Sequence, residues 1–163
     1  MNRLQSFIQR NRAPIGLGVV VLLVLALVTL VFAPVDYGPP EAQMPWKPFS
    51  LAALDEARVA GKPVLIYFHA EWCGPCKALE GMVLSKKQFV DAAADFVPLQ
   101  VDATNQDAPE IQKVLQAFAI EAFPTLVFVG RDGNENRLAR MVGVDSLEAN
   151  LNRLQMVNQN RKP

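Results

Sequence analysis

The strongest pattern in the chain is a block of unbroken hydrophobicity. From Ile15 to Ala33 no position is charged and the one hydroxyl is Thr29. At about 1.5 Å per helical residue, such a run spans roughly the 30 Å hydrocarbon layer, and it predicts a transmembrane helix over 15–33. A buried core helix would instead show a polar face. Arg3, Arg10 and Arg12 lie before the run with no acid among them, while Asp36 and Glu41 follow it. The positive-inside rule then leaves residues 1–14 as a short cytoplasmic segment and puts the remainder outside. A cleaved secretory signal is the alternative, with Ala33 at the cut. Pro34 would directly follow that cut, and the run exceeds the usual 7–15 residues of a signal core.

The pattern then changes character. Pro34, Pro39, Pro40, Pro45 and Pro48 predict an extended, stiff linker over 34–49. A folded domain is expected over 50–156 and a polar tail over 157–163. Ser50 suits an N-cap for a short amphipathic helix through Leu51, Leu54, Ala57 and Arg58, with Gly61 before Lys62-Pro63 as its stop. Val64 to Phe68 is a continuous apolar, β-rich run of the kind a strand buried on both faces shows. It leads through His69-Ala70-Glu71-Trp72 into Cys73-Gly74-Pro75-Cys76-Lys77 and a helical pattern. Further on, Phe96 to Val101 reads as a strand, and Asp107 with Glu110 as a capping box for a helix bearing Ile111, Val114, Leu115 and Phe118. Thr125 to Val129 reads as a strand, Arg131 to Asn134 as a turn, and Arg137 to Val142 as a hairpin partner. Asp145 and Glu148 are expected to cap a last helix ending near Met156.

Composition narrows the chemistry. Hydrophobic residues make up 51% of the 163, which excludes a disordered chain, and sixteen basic residues balance sixteen acidic ones. Nothing in that balance suggests a nucleic-acid partner. The two cysteines, Cys73 and Cys76, are too close together for their bond to stabilise a fold appreciably. Metal binding is a competing use of such a pair, but Zn²⁺ wants four ligands, and the chain adds one histidine, His69. At a helix N-terminus the Cys73 thiol should ionise readily and act as the nucleophile. Cys76, one turn later, is placed to attack a mixed disulfide on Cys73 from a more shielded position.

Trp72-Cys73-Gly74-Pro75-Cys76-Lys77 resembles the active site of the thioredoxin superfamily, and Phe123-Pro124-Thr125 resembles its cis-proline loop. The likeness covers 50–156. Within the superfamily the chain resembles the C-terminal periplasmic domain of DsbD-type thiol:disulfide interchange reductases, through the lead-in before Lys62-Pro63, Val101 to Asn105, Phe123 to Phe128 and Gly143. The resemblance implies an α/β thioredoxin fold, a mixed sheet of about four strands flanked by helices, behind the transmembrane helix. It also implies a cis Pro124 facing the cysteines, with Phe123 and Pro124 binding an extended substrate segment.

Two positions depart from the family pattern. Six residues before the nucleophile, where relatives carry a buried aspartate, stands Tyr67. Glu80 matches a glutamate of the DsbD-type domain and lies one turn beyond Cys76, either as its proton acceptor or as a solvated helix residue. His69 is either a packing residue or a carrier of protons, and Trp72 shields the disulfide and shapes the docking surface. The resulting expectation is a membrane-anchored protein-disulfide reductase of the inner membrane, its domain periplasmic, with no bound cofactor or metal. Its partners would be protein thiols and disulfides, apocytochrome c among the candidate substrates, and a membrane electron donor. The alternatives are an oxidase or isomerase on the same fold, or a Cu(I)-binding metallochaperone module using the cysteines with Met82 nearby.

Overall fold

A computed structural model describes residues 12–32 and 40–159, with side chains in the first stretch described from Gly18 onward. The chain divides into two compact units, Met1–Asp36 and Tyr37–Pro163. Helix α1 spans Arg12–Val31 in the first unit, and residues 18–32 are exposed on every side. Among the described residues no helix is long and apolar enough to cross a membrane, so the spanning reading rests on the sequence of 15–33. Residues 1–11, 33–39 and 160–163, from the expected cytoplasmic segment, the last residue of the span, the linker and the tail, lie outside the described residues.

The second unit is built on a five-stranded mixed sheet with strands β1 (Lys47–Pro48), β2 (Val64–His69), β3 (Val97–Asp102), β4 (Thr125–Val129) and β5 (Met141–Val142). Their order is β1-β3-β2-β4-β5. β1 and β2 run parallel to β3, while β4 runs antiparallel to both β2 and β5. Helices α2 (Leu51–Val59), α3 (Gly74–Leu79), α4 (Lys87–Ala92), α5 (Pro109–Ala117) and α6 (Leu147–Gln159) complete the layers, and α3 runs on into a π-helical turn over Glu80–Leu84. The continuous apolar run of β2 is explained by its central place. Leu65 and Tyr67 point to one face, among Cys73, Cys76, Leu79, Phe89 and Leu154. Val64, Ile66 and Phe68 point to the other, among Ala57, Leu99, Val101 and Leu115. α2 starts as expected, with Ser50 Oγ accepting from the Ala53 amide at 3.1 Å. It ends at Gly61 (φ 62) with paired bonds from Gly61 to Arg58 and from Lys62 to Ala57, the geometry of a Schellman stop.

Several expectations are corrected. The sheet has five strands rather than four because the proline-rich segment is not a free spacer: from Pro40 onward it lies on the domain as a strap. Glu41 and Ala42 donate their amides to Ser85 O at 3.1 and 2.9 Å, Lys86 pairs with Glu41, and Met44 is buried among the core residues. Pro48 is tolerated because β1 is an edge strand, where a missing donor breaks no ladder. The domain therefore begins near residue 40 instead of 50. At the other end α6 runs to Gln159, since Val157 is 2% exposed in the core. Leu51 does not join the apolar stripe of α2 and is 75% exposed. Asp107 does not cap α5. Ala108 takes the N-cap place because Pro109, which lacks an amide proton and has a preset φ, fits the first helical position. For α6 it is Ser146 whose hydroxyl accepts from the Ala149 amide, while Asp145 pairs with Arg153. The hairpin return is short, with β5 preceded by a single bridge between Val129 and Glu135.

If the strap is part of the core, Met44→Ala should lower unfolding stability by about 2 kcal/mol. Chemical denaturation of the full chain measures this. A change within about 0.5 kcal/mol, as for an ordinary surface substitution, would return 40–49 to the role of spacer.

Candidate active site

β2 delivers the site. Its last residue, His69, is followed by the Ala70–Trp72 loop, and Cys73 is the N-cap of α3 (φ −81, ψ 100) with Pro75 in the first turn, where its missing amide proton breaks no helix bond. Cys73 and Cys76 are joined by a disulfide, and Cys73 Sγ accepts from the Cys76 amide at 3.1 Å. That amide would stabilise a thiolate at the same place, which is the chemical basis for a reactive Cys73. The contrast in exposure expected between the cysteines is smaller than anticipated: Cys73 is 4% and Cys76 1% exposed. Both sink into the core face beneath β2 because α3 packs there. Trp72, Gly74, Pro75 and Lys77 remain exposed around them. Pro124 follows a cis peptide bond after Phe123, as the resemblance implied, and its carbonyl accepts from Gly143 at 2.8 Å.

Trp72 is 59% exposed yet fixed in direction. Its indole N–H donates to Thr104 O at 3.1 Å, and its ring meets Phe123 edge-on with centroids 6.0 Å apart. Thr104 also accepts the Glu71 amide at 2.9 Å and gives both its hydroxyl and its amide to Asp102. These two hydrogen bonds, the side-chain one foremost, hold the Asp102 carboxyl below the usual carboxylate range. Sequence reasoning had no role for Asp102 or Thr104. The legible signal was Asp-x-Thr at the end of a strand, a spacing that favours a side-chain-closed turn.

On the core side, Tyr67 is 2% exposed. Its hydroxyl donates to Glu80 Oε1 at 3.0 Å and lies 3.5 Å from Cys76 O. Burial foremost, then the nearby Glu80 charge and the hydrogen bond to it, pushes the phenol far above its ordinary value, so it stays protonated. Trp46 of the strap leans on one side of the ring, centroids 5.5 Å apart, and His69 stacks on it at 4.8 Å and 16°. His69 Nε2 is buried and makes no hydrogen bond, an arrangement that suits packing better than proton transport. Glu80 is thus held on the turn of Cys76. Among the described residues no group of three or more His, Cys, Asp and Glu side chains is gathered as a metal-binding set, and Met82 is 48% exposed.

What this arrangement can do is thiol–disulfide exchange: a sulfur pair at a helix start, a donor to the outer sulfur, and a carboxylate on the turn of the inner one. Comparison with known proteins agrees. Thiol:disulfide interchange protein DsbD of Pseudomonas fluorescens (strain Pf-5) is 34% identical over 101 residues, covering 62% of this chain and 17% of that protein. DsbD of Salmonella typhimurium (strain LT2) is 30% identical over 146 residues, covering 83% of this chain and 25% of that one. The chain thus spans a quarter or less of the length of these relatives. Among solved structures, a thioredoxin from Thermus thermophilus superposes with a TM-score of 0.58 at 29% identity, over 72% of this chain and 88% of that one. The oxidised C-terminal domain of Neisseria meningitidis DsbD gives 0.53 at 24% identity, over 74% and 100%, a likeness of fold. Residues 45–130 match the thioredoxin-like family, from the β1 strap through β4 and with the cysteine pair inside, and the chain belongs to that family.

Proposed function

We propose that this protein is a thiol:disulfide oxidoreductase, anchored in the inner membrane by residues 15–33 with its thioredoxin-like domain in the periplasm, and that it reduces disulfides of protein partners. The observation that carries the exchange chemistry is the Cys73–Cys76 disulfide with the Cys76 amide aimed at Cys73 Sγ. Cys73 attacks a partner disulfide, Cys76 resolves the mixed disulfide, and Glu80 takes the Cys76 proton. Phe123 and Pro124 line the docking surface beside Trp72, while His69 packs behind it. The electrons travel on the cysteines, so a membrane protein that passes electrons outward is required as donor. The reductive direction is supported by the Gly74-Pro75 spacer, which resembles that of reducing thioredoxins, and the exchange chemistry by similarity to interchange proteins. The tether is supported by the uncharged run and by the arginines clustered at its start.

Cys76→Ser should accumulate mixed disulfides with periplasmic proteins and with the electron donor, seen on non-reducing gels, while Cys73→Ser should accumulate few. The reverse pattern would exchange the two roles. The Cys73–Cys76 potential should lie nearer thioredoxin's, about −270 mV, than DsbA's, about −120 mV. A DsbA-like value, with the pair mostly oxidised in cells, would replace reductase by oxidase.

Protease added to spheroplasts should digest the domain. Its protection, or release of a soluble form starting near Pro34, would remove the anchor.

The Trp72 platform gives a pH prediction. Because the Asp102 pKa is lowered, its bonds to Thr104 persist above the ordinary aspartate value of about 3.9 and fail as pH falls through the lower folded value. In a Trp46→Phe background, Trp72 fluorescence should change with a midpoint below that ordinary value. Thr104→Val should move the midpoint up. An unmoved midpoint would detach Trp72 from the Asp102 turn.

A further inference from the structure

The buried phenol of Tyr67 does more than fill the core. One hydroxyl touches both Glu80 Oε1, at 3.0 Å, and the carbonyl of Cys76, at 3.5 Å. A phenol has a single proton, and the shorter contact takes it. A glutamate at the surface would otherwise sample many rotamers. Here a charge-assisted bond selects the one that lies on the turn of Cys76. Glu80 also opens the π-helical turn Glu80–Leu84, whose closing bond runs from the Ser85 amide to Glu80 O at 2.9 Å. The backbone that carries Glu80 is in turn tied to the strap, which bonds Ser85 O and sends Trp46 against the Tyr67 ring.

We infer that Tyr67 is a positioning residue for the resolving step, holding the Glu80 carboxylate where it receives the proton of the Cys76 thiol. The inference rests on the exchange reading above. In that step the Cys76 S–H bond breaks and its proton passes to Glu80. The Cys76 sulfur attacks Cys73, the bond between Cys73 and the partner sulfur breaks, and the partner leaves as a thiolate carrying the electron pair. The phenol exchanges no proton. Burial and the facing charge keep it a neutral donor, so it orients the base without being one.

The groups around the pair leave this assignment intact. In the sheet Tyr67 lies between Gln100 and Leu126, both uncharged. The cleft beside Glu80 is lined by neutral strap residues, Gln43, Met44 and Trp46, and by Leu84 and Ser85. Other titratable groups on the neighbouring elements are His69, stacked on the Tyr67 ring and opposite Asp102 in the sheet, and the exposed Lys77 on α3. On the strap, Glu41 is paired with Lys86. On α6, Arg153 is paired with Asp145.

The test uses the reduced full-length chain mixed with a chromogenic aromatic disulfide, which releases one coloured thiolate on attack by Cys73 and a second on resolution by Cys76. Tyr67→Phe removes the hydroxyl and keeps the ring. It should slow the second release about tenfold at neutral pH and leave the first unchanged. The deficit should shrink as pH rises, because hydroxide then removes the thiol proton without help from the carboxylate. Glu80→Gln should show the same deficit and the same recovery, and the double variant should be no slower than Glu80→Gln alone. A second phase like wild type in Tyr67→Phe, a loss equal at every pH, or additive losses in the double variant would each overturn the inference. Absence of either release in the wild-type protein would instead overturn the exchange reading itself, so the two failures are distinguishable.

Discussion

Burial of β2 on both faces is the constraint from which the rest follows. A strand closed in by β3 and β4 at its edges and by apolar clusters above and below has one register, because a one-residue slip would exchange its two sets of side chains. That register fixes which face Tyr67 occupies, and so which residue can reach the turn of Cys76. It also fixes where the strand stops, and the chain beyond has three residues in which to reach Cys73. The cysteine pair is therefore held by the core itself, and the exposed residues of the site, Trp72 and Gly74-Pro75, are laid over a base that does not move with them.

The strap extends this logic beyond the sheet. Its two amides on Ser85 O, its Glu41–Lys86 pair and its buried Met44 fasten the region where α3 gives way to the π-helical turn. A π-helical turn is a local departure from the i to i−4 ladder, and such departures are commonly found beside functional residues. Here it stands at Glu80, between a turn that holds a cysteine and a segment that holds the strap. Helix, phenol and strap consequently form one packed unit, in which Trp46, Tyr67 and His69 lie side by side.

Much of this was legible in the sequence, and the limits have physical causes. The β2 run, the cysteine-bearing helix start, the Ser50 cap and the Gly61 stop are local patterns, each set by residues within a few positions of one another, and the structure carries all four. The cis bond before Pro124 followed from resemblance alone. What stayed hidden depends on contacts distant in sequence. Proline spacing reads as a linker, and only the pairing of Lys47 and Pro48 with Leu99 and Gln100 turns it into an edge strand. Helical spacing put Glu80 on the face of Cys76, but its partner Tyr67, thirteen residues earlier, is brought there by the sheet. Asp107 had the right neighbours for a cap and lost the position to the stronger backbone preference of Pro109. Asp145 lost its place to Ser146, one residue closer to the helix, whose hydroxyl takes the Ala149 amide.

The indole of Trp72 is already immobilised before any partner arrives, by the carbonyl of Thr104 and the edge of Phe123. Freezing a side chain on association commonly costs about 0.5–1.5 kcal/mol, and at this position that cost was met when the domain folded. The adaptability needed in an encounter must then come from the visiting chain. On the function proposed above, a preset platform of this kind favours partner segments that arrive loosely structured and mould themselves to it.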